Sequence, residues 1–302
     1  MPDAENKTNG HVSIEQWYAS VRTDLLALAY RMLGSWADAE DVVQDSFAAV
    51  HGKLPSQVSN PKAYLAKAVV HRSLNVLKSA AKRRETYLGL WLPEPWVQTP
   101  DDATETAERR DDVSYAFMVM LETLTPLERA VIVLREAFGC DYAEVAGMLD
   151  KTEAACRKLA SRARKKLGER SASPLPDRPT AERQLVQRWV SAMMRGEIGE
   201  ILELIAEDAV LVTDGGGKVR AAVNPIYGRE RVMALLRTLA NRRFKDARLH
   251  VIRVNGAWGA AAVESGRVAG IACFDWSPEG TIRNLYVVLN PDKLGRIDGR
   301  TF

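Results

Sequence analysis

Cysteine is scarce in this chain. Its 302 residues hold three, Cys140, Cys156 and Cys273, far apart and with no C-x-x-C pair. That spacing disfavours a disulfide scaffold or a zinc finger and fits a reducing compartment, so a cytoplasmic protein is expected. Long apolar runs are missing too: none approaches the ~18 residues of a membrane span. Residues 1–10 are polar and lack the apolar segment of a secretory signal, so none is expected. Excess charge is small, since 42 Lys and Arg face 39 Asp and Glu for a net +3. This excludes a histone-like polycation but not charge segregated along the chain. What is present is the mix of a globular protein, 46% apolar and 27% charged. The length suits two or three domains.

Residues 11–90 read as a helical domain. Leu25, Leu28, Ala29, Met32 and Leu33 recur at helical spacing, Gly34 and Ser35 interrupt, and Val42, Val43, Phe47 and Val50 form the stripe of a second helix. A polar loop at 51–60 follows, and Pro61 suits the first turn of a helix running to Arg84. Residues 91–112 form a linker with Pro93, Pro95 and Pro100 and an acidic run, yet Trp91, Leu92 and Trp96 argue that part of it docks on protein. Residues 113–170 form a second helical domain. Thr125-Pro126-Leu127-Glu128 is a capping box, Asp141 and Glu144 repeat the start signal, and Thr152 caps a basic helix after a tight turn. Short helix, turn and basic helix outline a helix-turn-helix. A linker at 171–180 precedes a domain of different character, 181–302. There helices are predicted at 181–195, 198–206 and 229–242, and strands at 210–213, 247–254, 257–264, 266–275 and 281–289. That order implies an α+β domain with an antiparallel sheet.

Three charged clusters stand out. In the basic helix, Cys156, Leu159, Ala160, Ala163 and Leu167 make an inward face, and the segment from Lys151 to Arg170 carries a net +6. Its first turns could read base edges while later cations hold phosphates; the plainer reading is a solvated helix face. Lys78, Lys82, Arg83 and Arg84, with His71 and Arg72 a turn or two earlier, could bind nucleic acid or simply complement a helix C-terminus. Asp38, Asp41 and Asp45 share one helix side beside Glu40 and Gln44. Helix-start chemistry is the plainer reading of this cluster, and a surface for a basic partner is the functional one. No His or Cys lies nearby to make it a metal site, and no cofactor is expected.

These clusters occur in a familiar order. LALAYRMLG at 26–34, ADAEDVVQDSF at 37–47, AYL at 63–65 and the basic end 82–84 resemble region 2 of bacterial extracytoplasmic-function sigma factors of the sigma-70 family. LTPLER at 124–129 and RARKKL at 162–167 resemble region 4. The resemblance implies an alternative sigma factor, a non-catalytic transcription initiation factor whose partners are core RNA polymerase and promoter DNA. Asp38, Glu40, Asp41, Gln44 and Asp45 would meet the polymerase. The loop 51–60 and the following helix would open and hold the −10 element, with Asn60, Lys62, His71, Arg72, Asn75, Lys78, Arg83 and Arg84 on DNA. Unstacking bases costs a few kcal/mol, which those contacts must offset. Glu153, Arg157, Lys158, Ser161, Arg162, Arg164 and Lys165 would read the −35 element. His71, Asn75 and Tyr64 depart from the residues usual in the family, so no −10 sequence follows.

The linker Trp91-Leu92-Pro93-Glu94-Pro95, the run Asp214-Gly215-Gly216-Gly217-Lys218 and the tail Asn290-Pro291-Asp292-Lys293-Leu294 resemble sigma factors fused to a SnoaL-like domain, a conical α+β fold whose curved sheet surrounds a pocket. The resemblance implies that this domain regulates the sigma part through intramolecular contact. The glycine run lacks P-loop spacing; glycines there allow positive φ or close backbone approach. Asp214, His250, Asp275 and Tyr286 are the polar candidates for catalysis in the domain, and His250 reads more simply as a strand histidine. The alternative function is a ligand-responsive DNA-binding protein whose pocket binds or turns over a small molecule.

Overall fold

The computed structural model describes residues 14–50, 61–84, 87–97, 114–168 and 178–302. The loop 51–60 with Asn60, the acidic run within 98–113 and residues 171–177 lie outside the described residues.

Helix α1 (Ile14–Leu33) buries Leu25, Leu28, Ala29, Met32 and Leu33, the face that spacing predicts. Gly34 ends it at φ +68°, and a Cβ there would stand 2.9 Å from the Trp91 ring, so both conformation and space require glycine. Helices α2 (Trp36–Val50) and α3 (Pro61–Arg84) pack on α1 and on each other. After the linker come α4 (Tyr115–Leu121) and α5 (Pro126–Ile132), the latter starting with the predicted Thr125–Glu128 capping box. A π-helical turn, Val133–Ala137, continues α5 to Gly139. Then α6 (Tyr142–Leu149) starts at the Asp141–Glu144 box, Asp150 turns the chain at φ 51°, and Thr152 caps α7 (Glu153–Leu167). Cys156, Ala160 and Ala163 of α7 point inward as expected.

Sequence alone reads the two helical segments as separate modules. In the structure they share one hydrophobic core, which joins Leu65, Val69 and Val70 to Ile132, Leu134 and Val145. Arg129, only 2% exposed, donates to the Arg31 carbonyl at 3.1 Å and to Glu122 at 2.6 Å. It thereby ties α5 to the end of α1.

The remainder is the α+β unit: α8 (Arg178–Arg195), α9 (Ile198–Leu204), β1 (Ile205–Asp214), β2 (Ile226–Tyr227), α10 (Arg229–Arg242), β3 (Arg248–Val254), β4 (Ala257–Glu264), β5 (Arg267–Trp276), β6 (Ile282–Val288) and α11 (Pro291–Leu294). Strand order is β2-β1-β6-β5-β4-β3. The predicted α+β class holds, with one correction: the sheet is mixed, because β1 pairs parallel with β6 while the other pairs are antiparallel. Strand β1 is also longer than the predicted 210–213. Local alternation does not name a partner, and β6 reaches β1 only after the chain crosses through α10 and β3–β5. The sheet buries both faces. Leu211, Ala260, Ala272, Leu285 and Val287 face α8–α10, while Ile252, Ala261, Cys273, Tyr286 and Val288 face the linker and Tyr115.

Replacing Arg129 with Ala leaves the Glu122 carboxylate and the Arg31 carbonyl without this donor. We expect a loss of about 3–5 kcal/mol, the usual cost of breaking a buried ion pair, measured as a shift in the urea midpoint of the intact chain.

Candidate functional site

The three motifs of the linker, the glycine turn and the tail meet at one carboxylate. Asp214 ends β1 with its side chain fully buried. It accepts hydrogen bonds from Tyr87 Oη (2.6 Å), the Leu92 amide (2.9 Å), the Gly216 amide (2.9 Å) and Lys293 Nζ (2.6 Å). Lys293, from α11, also donates to the Leu92 carbonyl and lies 4.0 Å from the centre of the Trp91 ring, a cation–π contact. Asn290 caps α11 by accepting from the Asp292 amide and donates to Tyr87 Oη at 3.0 Å. Gly216 sits at φ +64°, and a Cβ there would stand 2.4 Å from the Asn290 amide, the close approach that the glycine run anticipates. Gly215 packs against Val219 in the same turn, Gly217 lies at φ +70°, and Lys218 pairs with Asp292 at 2.7 Å on the surface. Leu294 is buried beside Leu92 in the core under the outer sheet face.

The linker continues from this knot as a strap. The Pro93 carbonyl accepts from Tyr115 Oη of α4 at 2.6 Å. The Glu94 amide donates to the Gly34 carbonyl (2.8 Å), and the Glu94 carbonyl accepts from Tyr30 Oη (2.7 Å). The Glu94 carboxylate accepts from the Trp36 amide at 2.7 Å and so caps α2 from across the fold. After Pro95, Trp96 stacks on Trp36 with centroids 5.5 Å apart. Trp96 also exchanges backbone and side-chain hydrogen bonds with Asn255, whose amide reaches Tyr30 Oη at 2.7 Å. Burial pushes the hydroxyls of Tyr30, Tyr87 and Tyr115 well above the usual tyrosine range, so they stay protonated donors. Burial likewise raises the Glu94 carboxyl above its ordinary value, against the Trp36 and Ala37 amides.

Sequence reasoning found the motif residues and missed their partners. Tyr30, Tyr87, Tyr115 and Asn255 carry much of the hydrogen bonding. Asn255-Gly256 was legible as a turn, and Asn255 does adopt φ 49°. Nothing local says that its amide faces α1.

The acidic face of α2 is divided. Asp41, Gln44 and Asp45 are exposed and Asp38 is half-buried. Glu40 is held by Arg296, just after α11, at 2.5 Å. Arg72 of α3 lies 3.6 Å from Asp45. Along α3, Asn75 and Lys78 are exposed, and Lys62 pairs with Asp24 at 2.7 Å. His71 instead faces the helix-turn-helix: its Nε2 lies 2.8 Å from the Met148 carbonyl and 3.3 Å from Asp150. Lys67 pairs with Asp150 at 2.5 Å and, with His71, holds that carboxyl below the usual range. Arg83 and Arg84 close α3, and their side chains lie outside the described residues. On α7 the seven candidate −35 residues, Glu153, Arg157, Lys158, Ser161, Arg162, Arg164 and Lys165, are all exposed. Arg157 pairs with Glu153 (2.8 Å) and lies over Tyr142, while Arg164 pairs with Glu136 (2.5 Å).

The four polar candidates for catalysis do not converge. Asp214 is in the knot, Tyr286 packs on Tyr115, Asp275 accepts from Asn284 and the His250 ring lies 6.3 Å from that of Phe302. None lines the cavity of about 520 Å³ on the helix-covered side of the sheet.

An acidic-faced helical bundle, a helix-turn-helix with an exposed basic reader and an appended α+β unit define the class: a sigma-type transcription initiation factor. Residues 17–83 match the family model Sigma-70 region 2, and residues 114–167 match Sigma-70, region 4. The ECF RNA polymerase sigma factor SigJ of Mycobacterium tuberculosis (strain ATCC 25618 / H37Rv) is 35% identical over 292 residues, 91% of either chain. The crystal structure of Mycobacterium tuberculosis SigJ superposes at TM-score 0.74 and 31% identity, covering 94% of this chain and 98% of that one. A SnoaL-like protein of unknown function from Burkholderia thailandensis aligns over 38% of this chain and 97% of its own, at 18% identity and TM-score 0.31. The chain belongs to the extracytoplasmic-function RNA polymerase sigma factors, with an α+β unit at its C-terminal side. As such it binds core RNA polymerase and directs it to promoters, a role without catalysis. Among the described residues no helix is long and apolar enough to cross a membrane.

Two outcomes are expected. Asp214→Asn strands the Lys293 ammonium and should weaken docking of the strap by about 3–5 kcal/mol, seen as faster protease cleavage within residues 87–97. The Glu94 carboxyl titrates higher in the docked state than the ordinary 4.5. Docking should therefore strengthen as pH falls through the raised value and reach its full extent below the ordinary one. The Glu94→Gln variant, compared by cleavage rate across the same pH series, should lose that component of the slope.

Proposed function

We propose that the SnoaL-like unit regulates this sigma factor by holding its two helical modules in a compact arrangement through the strap at 87–97 and the tail at 290–296. The observation that carries this reading is the Arg296–Glu40 pair at 2.5 Å. It sets the tail on the α2 face that the family resemblance assigns to core polymerase. In this reading residues 11–90 bind polymerase and the −10 element, 113–170 bind the −35 element, and 181–302 regulate, with 91–112 and 171–180 as linkers. Asp38, Glu40, Asp41, Gln44 and Asp45 meet polymerase. Asn60, Lys62, His71, Arg72, Asn75, Lys78, Arg83 and Arg84 hold the −10 strand. Glu153, Arg157, Lys158, Ser161, Arg162, Arg164 and Lys165 read the −35 element. The pairing of Lys67 and His71 with Asp150 supports a closed state, because it occupies a −10 candidate with the turn of the −35 reader. The domain acts in the cytoplasm, and it binds rather than converts its ligand: its polar candidates are scattered.

Gel filtration with bacterial core polymerase tests the reading. Asp41→Lys should lose co-elution. Arg296→Glu should raise affinity by up to about fivefold, since an exposed ion pair contributes at most ~1 kcal/mol. Co-elution of Asp41→Lys equal to wild type would overturn the assignment of the α2 acidic face to polymerase.

A further inference from the structure

The cavity in the SnoaL-like unit has no assigned occupant. It lies between the inner face of β4–β6 and the helices α8 and α10. Its floor is made of small residues in register across two strands: Ala260 opposite Ala272, and Ala262 opposite Gly270. Larger apolar side chains would close it, as they do elsewhere in the same core. At Gly270 a Cβ would stand 2.8 Å from the Phe244 ring, so Phe244 lies across one end of the floor. The walls add Trp189, Met193 and Leu236. The indole N–H of Trp189 is buried and makes no hydrogen bond among the described residues. At about 520 Å³ the space is roughly three times the ~150 Å³ that admits one benzene ring.

Apart from the Trp189 indole, the polar side chains of the lining are open to solvent. These are Arg195, Asn241 and Lys245, and Met194 beside them is an apolar side chain 58% open to solvent. Arg195 is neutralised by Glu197 and Glu200. Lys245 belongs to a segment, 242–248, with four cations and one acid. No carboxylate lines the cavity among the described residues.

We propose that this cavity binds an amphipathic carboxylate, a medium-chain acyl or fused-ring acid, with its apolar body on the alanine floor and its carboxylate at Lys245 and Asn241. The site lies behind the regulatory contacts. Ala260, Ala272 and Val287 face the helices that wall it, while Ala261, Cys273 and Tyr286 of the same strands face the linker and Tyr115. An occupant that changes the curvature of β4–β6 therefore acts on the strap. That consequence rests on the regulatory reading above; the binding itself does not.

The full-length chain is titrated with the fluorescent anion 1-anilinonaphthalene-8-sulfonate, which is then displaced with dodecanoate or with dodecanol. One saturable site per chain, displaced by dodecanoate, is expected. Ala240→Trp, at a half-buried wall position of α10, should weaken both dodecanoate and the probe by at least about tenfold. Lys245→Glu should weaken dodecanoate about fivefold and leave dodecanol unchanged. Absence of saturable binding, or full affinity in a folded Ala240→Trp variant, overturns the proposal. Lys245 is exposed and its replacement keeps the fold, so unchanged dodecanoate affinity in Lys245→Glu overturns it as well. Polymerase is absent from this assay, so its failure and a failure of the sigma reading are separately visible.

Discussion

The arrangement of the whole chain depends on one buried ion pair, Lys293 with Asp214. Both side chains leave water, with 10% and 0% of their surfaces exposed. Desolvation of two charges costs several kcal/mol per ion, and attraction offsets it only if every remaining donor and acceptor is satisfied. Here the partners come from three places in the chain. Asp214 is filled by Tyr87, Leu92 and Gly216, and Lys293 by Leu92 and the Trp91 ring. Linker, glycine turn and tail are therefore mutually dependent: displacing any one leaves a charge exposed to apolar surroundings. A purely apolar contact of this size could slip; this one has a single register.

From that knot the strap distributes its contacts over distinct bodies. Pro93 is read by α4 through Tyr115, and Glu94 by the α1–α2 corner through Gly34, Tyr30 and Trp36. Trp96 is read by the β3–β4 turn through Asn255. Prolines suit such a segment because they reduce the entropy lost on ordering it and need no partner for an amide hydrogen. The capping of α2 by Glu94 brings a carboxylate to the positive end of the helix that carries the acidic face. The strap and the candidate polymerase surface thus belong to one electrostatic unit, closed at its far end by Arg296 on Glu40.

The sheet extends this coupling inward. Its strands alternate small residues on one side with Cys273, Tyr286 and Val288 on the other, so one sheet serves both a cavity and an interface. Close packing transmits displacement between the two sides. Meanwhile the exposed cations of α7 stay in solvent, and the shared core of the helical modules keeps the −35 reader beside α3.

Much of this was legible beforehand. Helix starts at Thr125, Asp141 and Thr152 are local chemistry: a side-chain oxygen three residues from an unpaired amide needs no distant partner. Helix 229–242 follows from periodicity, strands β3–β6 from the runs between Gly, Asn and Pro breaks, and three short motifs marked the interface. What only the tertiary structure decided is who meets whom. Parallel β1–β6 pairing, the shared core of two apparent modules, His71 on Met148 rather than in solvent, and the joining of Asp214 to Lys293 all link residues far apart in sequence. Local propensity carries no term for such contacts. They exist because a buried charge or an open sheet face must find a partner somewhere, and the fold determines where.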